Sequence, residues 1–452
     1  MNSLPWRRHR ALPAVTLLLM FAMVGSQSHG RSSPTFSTPS DDGDASSGLN
    51  TRATDDGAVV GAFTRRSYRP GQRAVLNLSY PYTSIRIEVL HVGPEQRLTI
   101  GNETIEGVSV GTPIHVVGDD GPVRIRIGNW DSGVYAARMT SGTRVGFAPF
   151  IVRPKRLGTQ PVAVVQPTNT WQAYNFRDAD GDGKPDTWYY WAGHTTTVDL
   201  LRPYLDRGVP PHFRQYDLTF LRWLARTGRH VDMLAQEDIE HLSGERLKQL
   251  YRLIIFPGHH EYVTKAEYDA VERFRDLGGN LAFLSANNFF WRVDRHGNRL
   301  TRIAPWRNLG RPEASLVGVQ YFTWNQRKFD ERPYVITGAT RAPWLFAGTG
   351  LVDGDEFSAF GIEADGRSPA SPASLSILAT IPHIFNARGS AAMTYYEDPS
   401  GARVFAAGAF TLAGTRGRCA PVAKFLANLW NHLAGETPQD RYPQADLGPC
   451  PE

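Results

Sequence analysis

Four short apolar runs that alternate with helical patterns constrain the fold of this chain most strongly. The runs are VAVVQP (162–167), VDMLA (231–235), LIIF (253–256) and NLAFLS (280–285). Between them, apolar residues recur at helical spacing, and Ser243 and Thr264 are placed to cap two of the helices. Strands that lack polar alternation are typical of parallel sheets covered by helices on both faces. The sequence therefore predicts an α/β domain over residues 160–440.

A different pattern precedes this domain, from residue 57 to residue 153. Short runs such as AVLNLSY, IRIEVLHV and GVYAARMT alternate with Gly and Pro turns. This spacing predicts an all-β sandwich domain of roughly 100 residues. Asp131-Ser132-Gly133 is predicted to form the turn of a hairpin, and residues 153–161 form a linker. We find no pattern of catalytic residues in this part.

The N-terminus has the pattern of a secretory signal. Three arginines precede an apolar stretch from Ala11 to Val24, which is short for a bilayer span. We expect a signal peptide over residues 1–30 and a flexible leader, rich in Ser and Asp, over 31–56. The expected location is secreted or extracytoplasmic, with no stable membrane span after cleavage. An uncleaved N-terminal anchor is the alternative.

The composition excludes several classes of protein. Apolar residues make up 41% and charged residues 21% of the 452 positions, which is a globular composition and rules out a mainly disordered chain, a collagen and a coiled coil. The net charge of +5 comes largely from the N-terminal arginines, so we expect no nucleic-acid partner. Cys419 and Cys450 could pair in an oxidising compartment. Two unpaired thiols are the alternative.

Polar and aromatic side chains follow three of the predicted strands. The segments are PTNTWQAYN after the first strand, PGHHEYVT after LIIF and ANNFFWRV after NLAFLS. Ligands gather outside the carboxyl ends of parallel strands, so these segments predict one shared site. His259 and Glu261 suit acid–base chemistry or metal ligation. The predicted α/β domain has no GxSxG elbow, GxGxxG or P-loop, which leaves metal-assisted or acid–base chemistry.

The segment DADGDGKPD resembles the first half of an EF-hand calcium loop. Carboxylates stand at the ligand positions of that half: Asp178, Asp180, Asp182 and Asp186. Gly183 occupies the position of the sharp turn, and Tyr189 replaces the bidentate Glu. We expect a structural Ca2+ site here. An acidic surface turn is the alternative.

Five stretches together resemble the C-terminal domain of the large subunit of N,N-dimethylformamidases. They are PTNTWQAYN, LLRPYLDRG, QYDLTFLRWLARTGRHVDMLAQEDI, GHHEYVTKAEYDAVERFRDLGGNLAFLSANNFFWRV and GSAAMTYYEDPSGARVFAAGAF. The resemblance covers roughly residues 160–415. It implies a glutamine-amidotransferase-like (flavodoxin-like layered) α/β domain without that fold's usual Cys, preceded by the all-β sandwich domain.

The resemblance also implies a mononuclear ferric iron (Fe3+) that serves to hydrolyse a small amide. Its ligands would be Tyr174, Tyr216 and Glu261, and Tyr204 is the rival of Tyr216. His259 would lie beside the metal as a proton shuttle. Phenolate and carboxylate oxygens are hard anionic donors that suit such an ion.

The leading hypothesis is an exported, metal-dependent hydrolase of an amide C–N bond, in which iron-activated water attacks the carbonyl. His259 and Glu261 are the catalytic residues, and Asn288 and Trp291 are assigned to the substrate. The partner is a small-molecule amide, and homo-oligomerisation stays open.

Two alternatives have other chemistry. One is a non-catalytic secreted or surface binding protein with a degenerate amidase-like domain stabilised by calcium. The other is a carbohydrate-active protein that uses tryptophan rings as sugar platforms: Trp171, Trp188, Trp191 and Trp291.

Overall fold

The computed structural model describes the chain from residue 57 to residue 436, apart from residues 80–81, 118–120, 190–191, 194, 326–331, 387–388, 411, 413 and 415–419. The signal peptide, the leader, Trp191 and both cysteines lie outside the described residues, so what the sequence indicates about them stays a prediction. Within the described part, no helix combines the length and the apolar character needed to cross a bilayer.

Eight strands form two sheets in the first part of the chain. They are β1 (Gly61–Phe63), β2 (Ser67–Tyr68), β3 (Arg73–Leu78), β4 (Ser84–His91), β5 (Val108–Val117), β6 (Val123–Arg126), β7 (Gly133–Ser141) and β8 (Arg144–Val152). One sheet has the order β1–β3–β6 and the other has the order β2–β8–β7–β4–β5. Buried side chains of both sheets, among them Leu76, Ile87 and Phe150, form one core. In β3 and β6 every second side chain is buried, which explains the alternating sequence pattern of these two strands.

The predicted hairpin at Asp131-Ser132-Gly133 is wrong. Strand β6 ends before this turn and pairs with β3, whereas β7 begins at Gly133 and pairs with β4 and β8. The turn therefore carries the chain from one sheet to the other. Local turn residues do not specify the partner of a strand, which is chosen by burial of its apolar face.

The second part is built on a sheet of eleven strands and a sheet of four strands. The strands are β9 (Val162–Gln166), β10 (Thr197–Asp199), β11 (Asp232–Ala235), β12 (Leu253–Phe256), β13 (Tyr262–Thr264), β14 (Asn280–Phe283), β15 (Trp291–His296), β16 (Arg299–Pro305), β17 (Gln320–Trp324), β18 (Arg332–Ile336), β19 (Glu356–Gly366), β20 (Ser376–Pro382), β21 (Ser390–Glu397), β22 (Arg403–Ala406) and β23 (Ala409–Phe410). In the larger sheet, β11, β9, β12, β14 and β22 are parallel neighbours in that order. The four strands predicted from the apolar runs are confirmed among them.

Helices connect the parallel strands as predicted. In the described part they are α1 (Thr168–Ala173), α2 (Phe213–Tyr216), α3 (Leu218–Arg226), α4 (Gln236–Glu240), α5 (Gly244–Leu250), α6 (Lys265–Asp276), α7 (Ala314–Val317), α8 (Pro343–Phe346) and α9 (Ala420–Ala434), with 3-10 turns at Trp306–Leu309 and Ile384–Asn386. The side chains of Ser243 and Thr264 accept hydrogen bonds from the first turns of α5 and α6, which confirms both predicted caps. The glutamine-amidotransferase-like name for this layering stays a prediction.

One hydrophobic core runs through both parts of the described chain. Leu90 and Phe147 from the first part share it with Leu221 of α3 and with β9. Gly208 lies so close that a Cβ there would fall 1.7 Å from the carbonyl oxygen of Phe147. The β-rich part is thus packed directly against the α/β part, whose strand ends carry the candidate site.

Candidate active site

Segments at the carboxyl ends of β9, β12 and β14 meet at one place, as the sequence predicts. Tyr174 follows α1 after β9, Glu261 follows β12, and Asn287 follows β14. The Tyr174 hydroxyl donates a hydrogen bond to Oε2 of Glu261. Nδ2 of Asn287 lies 3.5 Å from Nε2 of His259. Side chains from three separate loops therefore form one buried cluster.

The turn after β12 aims two of its three adjacent polar residues at this cluster. A Cβ on Gly258 would lie 2.2 Å from Oδ1 of Asp217, so the turn needs glycine. His260 points elsewhere: its Nδ1 lies 3.2 Å from the carbonyl oxygen of Gly258, and its ring meets that of Phe256 edge-on. His259 and Glu261 thus share one side of the chain, and His260 is a buried packing residue.

A second carboxylate, which is largely but not fully buried, completes the cluster and was missed from the sequence. Oε2 of Glu363 lies 3.2 Å from Nε2 of His259, and the same nitrogen lies 3.3 Å from Oε2 of Glu261. Among the described residues, Oε2 of Glu363 has no hydrogen-bond partner. Glu363 belongs to β19, in a region of short and irregular strand patterns, and no local signal distinguishes it from a solvent-facing acid.

The backbone next to Glu363 is strained. Ile362 has a φ of +72°, a left-handed conformation that is a true outlier for a β-branched residue. The pairing of β19 with β23 shifts register between Gly361 and Ala364. Bulges of this kind re-aim side chains and often lie beside functional sites. The irregularity immediately precedes Glu363, so it sets where this carboxylate points.

Burial controls the protonation of the cluster. It raises the pKa of Glu261 to about 7 and the pKa of Glu363 to about 8, because a carboxylate loses its hydration there. Burial lowers the pKa of the His259 imidazole to about 4. The pKa of Tyr174 is well above its usual value because of burial and then the nearby Glu261. Without a cation, the cluster therefore favours neutral forms near neutral pH.

Tyr216 and Tyr204 differ in their access to the cluster. Tyr216 lines the same pocket as Tyr174 and His259. The ring of Phe410 packs against both Tyr216 and His259, with ring centroids 5.0 Å and 4.6 Å away. Tyr204 lines a separate pocket beside the first sheets. Of the two tyrosines, Tyr216 is thus the one that shares a pocket with Tyr174 and His259, and metal ligation by either stays a prediction.

Tyr262 is a further phenol at the site that the sequence did not single out as a ligand. Its hydroxyl donates to that of Tyr174 across 3.5 Å. Tyr262 is opposite Trp291 in the parallel pair of β13 and β15. The ring of Tyr262 meets that of Tyr174 edge-on, with ring centroids 5.7 Å apart.

The residues assigned to the substrate have unequal environments. Asn288 is buried, and neither its amide nitrogen nor its amide oxygen has a hydrogen-bond partner among the described residues. Such a group suits a polar ligand. Trp291 is half-buried beneath the guanidinium of Arg302. Both lie beside the cluster in sequence, and their contact with substrate stays a prediction.

Two of the four tryptophans offered as sugar platforms have no exposed ring face. Trp171 is buried and donates from Nε1 to Oδ2 of Asp217 across 3.1 Å. Trp188 is 2% exposed and packs against Tyr262. A sugar platform requires an accessible ring, so the carbohydrate hypothesis loses these two residues.

The structure assembles most of the predicted calcium loop. Ligand oxygens of Asp178, Asp180 and Asp186 lie within 4.8 Å of one another. Asp182 is outside this group, and its Oδ1 accepts a hydrogen bond from the Lys184 amide across 2.8 Å. Calcium binding stays a prediction, with three of the four proposed carboxylates brought together.

Comparison with known proteins places this geometry in a family context. Residues 122–415 match the family described as N,N-dimethylformamidase beta subunit-like, C-terminal. The N,N-dimethylformamidase beta subunits of an Alcaligenes species and of Paracoccus aminophilus are both 25% identical to the chain over 280 residues. Each alignment covers 52% of this chain and 34% of the relative, so the chain spans about a third of the length of these relatives. A solved structure of the mmIFT52 N-terminal domain covers 46% of this chain and 86% of its own at 10% identity, but its TM-score of 0.29 is too low to assign a fold.

Proposed function

This chain belongs to the N,N-dimethylformamidase beta subunit-like family, and from that premise we propose that it hydrolyses the C–N bond of a small amide at the cluster around Glu261. The observation that carries the proposal is the position of His259, whose Nε2 lies within 3.3 Å of Glu261 and 3.2 Å of Glu363. A buried imidazole between two carboxylates is suited to moving a proton. The relatives are named as subunits, and assembly into an oligomer is part of the proposal.

The residues at the site fit an iron ion. Tyr174 and Glu261 present a phenol and a carboxylate in direct contact, and Tyr216 lines the same pocket. These are hard oxygen donors, and the proton between Tyr174 and Glu261 is one that a cation would displace. We therefore propose that Tyr174, Tyr216 and Glu261 hold ferric iron. When bound, the ion would supply positive charge that polarises a carbonyl and favours the anionic forms of the carboxyl groups.

The side chains around this position supply the proton transfers of amide hydrolysis. Glu363 accepts a proton from the water that attacks the carbonyl carbon and passes it to His259 across 3.2 Å. His259 then delivers this proton to the leaving nitrogen as the C–N bond breaks. The products are a carboxylic acid and an amine. Asn288 holds the substrate through its unpaired amide, and the ring of Phe410 closes one side of His259.

The first test measures metal content and hydrolysis in the same preparations. The purified protein should contain about one iron per chain, as the three-ligand site requires, and a visible phenolate-to-iron absorption band. Glu261→Ala should lose both iron and amide hydrolysis. Glu356→Gln, an exposed position on the same strand as Glu363, should retain both and serves as the control.

Two outcomes would contradict the proposal. Full iron content in Glu261→Ala would show that Glu261 is not a ligand. Calcium without iron or colour in the wild-type protein, together with no hydrolysis of any small amide, would favour the non-catalytic binding protein. The predicted export enters as a separate proposal, tested by whether the mature protein begins after residues 25–30.

A further inference from the structure

Arg66 is a buried cation that forms no ion pair within the described part of the chain. It lies between β1 and β2 and is 8% exposed, and neither Nε nor Nη2 has a hydrogen-bond partner among the described residues. Among the carboxylates, Glu237 attracts the Arg66 guanidinium most strongly, but no described residue forms an ion pair with Arg66. A buried charge is normally retained only when it is paired and hydrogen-bonded.

A second buried arginine in the same pocket shows the contrast. Arg202 also lines this pocket, and its guanidinium donates to the carbonyl oxygens of four residues: Asp199, Arg177, Asp186 and Gln172. Each nitrogen of the Arg202 guanidinium therefore donates at least one hydrogen bond. Arg66 has the same chemistry and comparable burial, but its Nε and Nη2 donate to none of the described residues.

The two unused nitrogens define the shape of the missing partner. Nε and Nη2 form one edge of a guanidinium, and that edge matches the two oxygens of a carboxylate. This chain uses the same edge elsewhere: Nε and Nη2 of Arg295 bind the two carboxylate oxygens of Glu240 at 2.7 and 2.9 Å. A free carboxylate could satisfy Arg66 in the same way.

The cavity at Arg66 has room for such a group. Its volume is about 30 Å³, compared with roughly 10–15 Å³ for one water on the same scale. Tyr204 and the exposed Arg65 also line it, so a phenol and a further cation are close by. Both unused nitrogens of Arg66 are buried, so a ligand reaches them through small side-chain shifts of the kind that are common on binding.

We propose that the pocket between the first sheets and the α/β part, lined by Arg66, Arg65 and Tyr204, binds a small carboxylate anion. This site is separate from the candidate active site and does not depend on the proposed hydrolysis. Its ligand pairs with the guanidinium edge of Arg66 and removes the cost of an unpaired buried charge. The folded protein is therefore stabilised by the anion through mass action.

The test compares the melting temperature of the full chain in sodium acetate, sodium phosphate and sodium chloride at equal ionic strength. We expect acetate to raise the melting temperature above that in chloride, and Arg66→Met to raise the acetate dissociation constant by at least about tenfold, since a charged hydrogen-bonded pair is lost. Arg69→Met, an exposed neighbour outside the pocket, should respond like the wild type. In chloride alone, Arg66→Met should melt at or above the wild-type temperature.

Three results would overturn the proposal. A wild-type protein that melts at the same temperature in acetate and chloride has no carboxylate site. A stronger response to phosphate than to acetate would assign the pocket to tetrahedral anions. An acetate response that Glu261→Gln removes and Arg66→Met retains would place the anion at the candidate active site.

Discussion

Nε2 of His259 lies 3.2 Å from Oε2 of Glu363, although the two residues come from the loop after β12 and from the distant strand β19. The contact gives the site two carboxylates with separable roles. Glu261 contacts Tyr174, a proposed ligand, whereas Glu363 lies beside the imidazole of His259 and the amide of Asn287. Metal binding and proton transfer can therefore be tested by different substitutions.

Glu363→Gln should abolish most hydrolysis and leave the iron in place. The amide preserves the shape of the side chain but removes the base, and general acid–base groups contribute roughly 10²- to 10⁴-fold to rate. We expect kcat to fall by that factor while iron per chain, from elemental analysis, stays at the wild-type value. Loss of iron in this variant would instead identify Glu363 as a ligand.

Tyr216→Phe and Tyr262→Phe should have different effects on the visible spectrum. Tyr216 is the proposed second phenolate, so its loss should remove a large part of the charge-transfer absorption and of the bound iron. Within the described part of the chain, the Tyr262 hydroxyl donates to that of Tyr174 across 3.5 Å, so its removal should shift the band slightly. A larger loss of absorption and bound iron in Tyr262→Phe than in Tyr216→Phe would assign the second phenolate to Tyr262.

Added Ca2+ should stabilise the protein through Asp180 but not through Asp182. At a concentration of 100 times the dissociation constant, a ligand adds about 2.7 kcal/mol to the free energy of unfolding. Asp180→Asn removes a carboxylate from the group of three and should abolish the calcium-dependent rise in melting temperature. Asp182→Asn is the matched control, because Asp182 is outside that group. If both variants lose the calcium-dependent rise in melting temperature to the same extent, a general charge effect would be favoured over a specific site.

The free energy of unfolding should fall as the pH rises from about 4 to about 6, because the buried carboxyl of Asp238 loses its proton in this window. Burial raises the pKa of its carboxyl to about 6, and Arg153 opposes part of the rise. Since the unfolded pKa is about 3.9, the folded state binds more protons in this window and the free energy of unfolding falls, by up to about 3 kcal/mol. Asp238→Asn should lack this decrease in urea unfolding at pH 4 and pH 7. Asp276→Asn, at a more exposed carboxyl, should retain it.

The sequence predicted the elements whose environment is encoded locally. Short and mainly apolar runs identified β9, β11, β12 and β14, because burial on both faces leaves few polar positions. Ser243 and Thr264 identified helix starts, because a cap acts within one turn. His259 and Glu261 followed from the rule that parallel strands end at one edge.

What could not be predicted depends on contacts between distant segments. Glu363 reaches His259 only because β19 is added to the far side of the sheet and pairs with β23. The turn at Asp131-Ser132-Gly133 has ordinary hairpin residues, yet its two strands belong to different sheets. The unpaired state of Arg66 likewise depends on segments that are far apart in the chain.

The left-handed backbone of Ile362 has a consequence for how this protein can be improved. Such a conformation costs roughly 1–2 kcal/mol for an L-residue, and the chain retains it immediately before Glu363. Directed evolution for heat resistance alone would therefore select changes in β19 that release this residue into ordinary strand geometry. Those changes would withdraw the Glu363 carboxylate from His259, so the more thermostable descendant would be the slower catalyst.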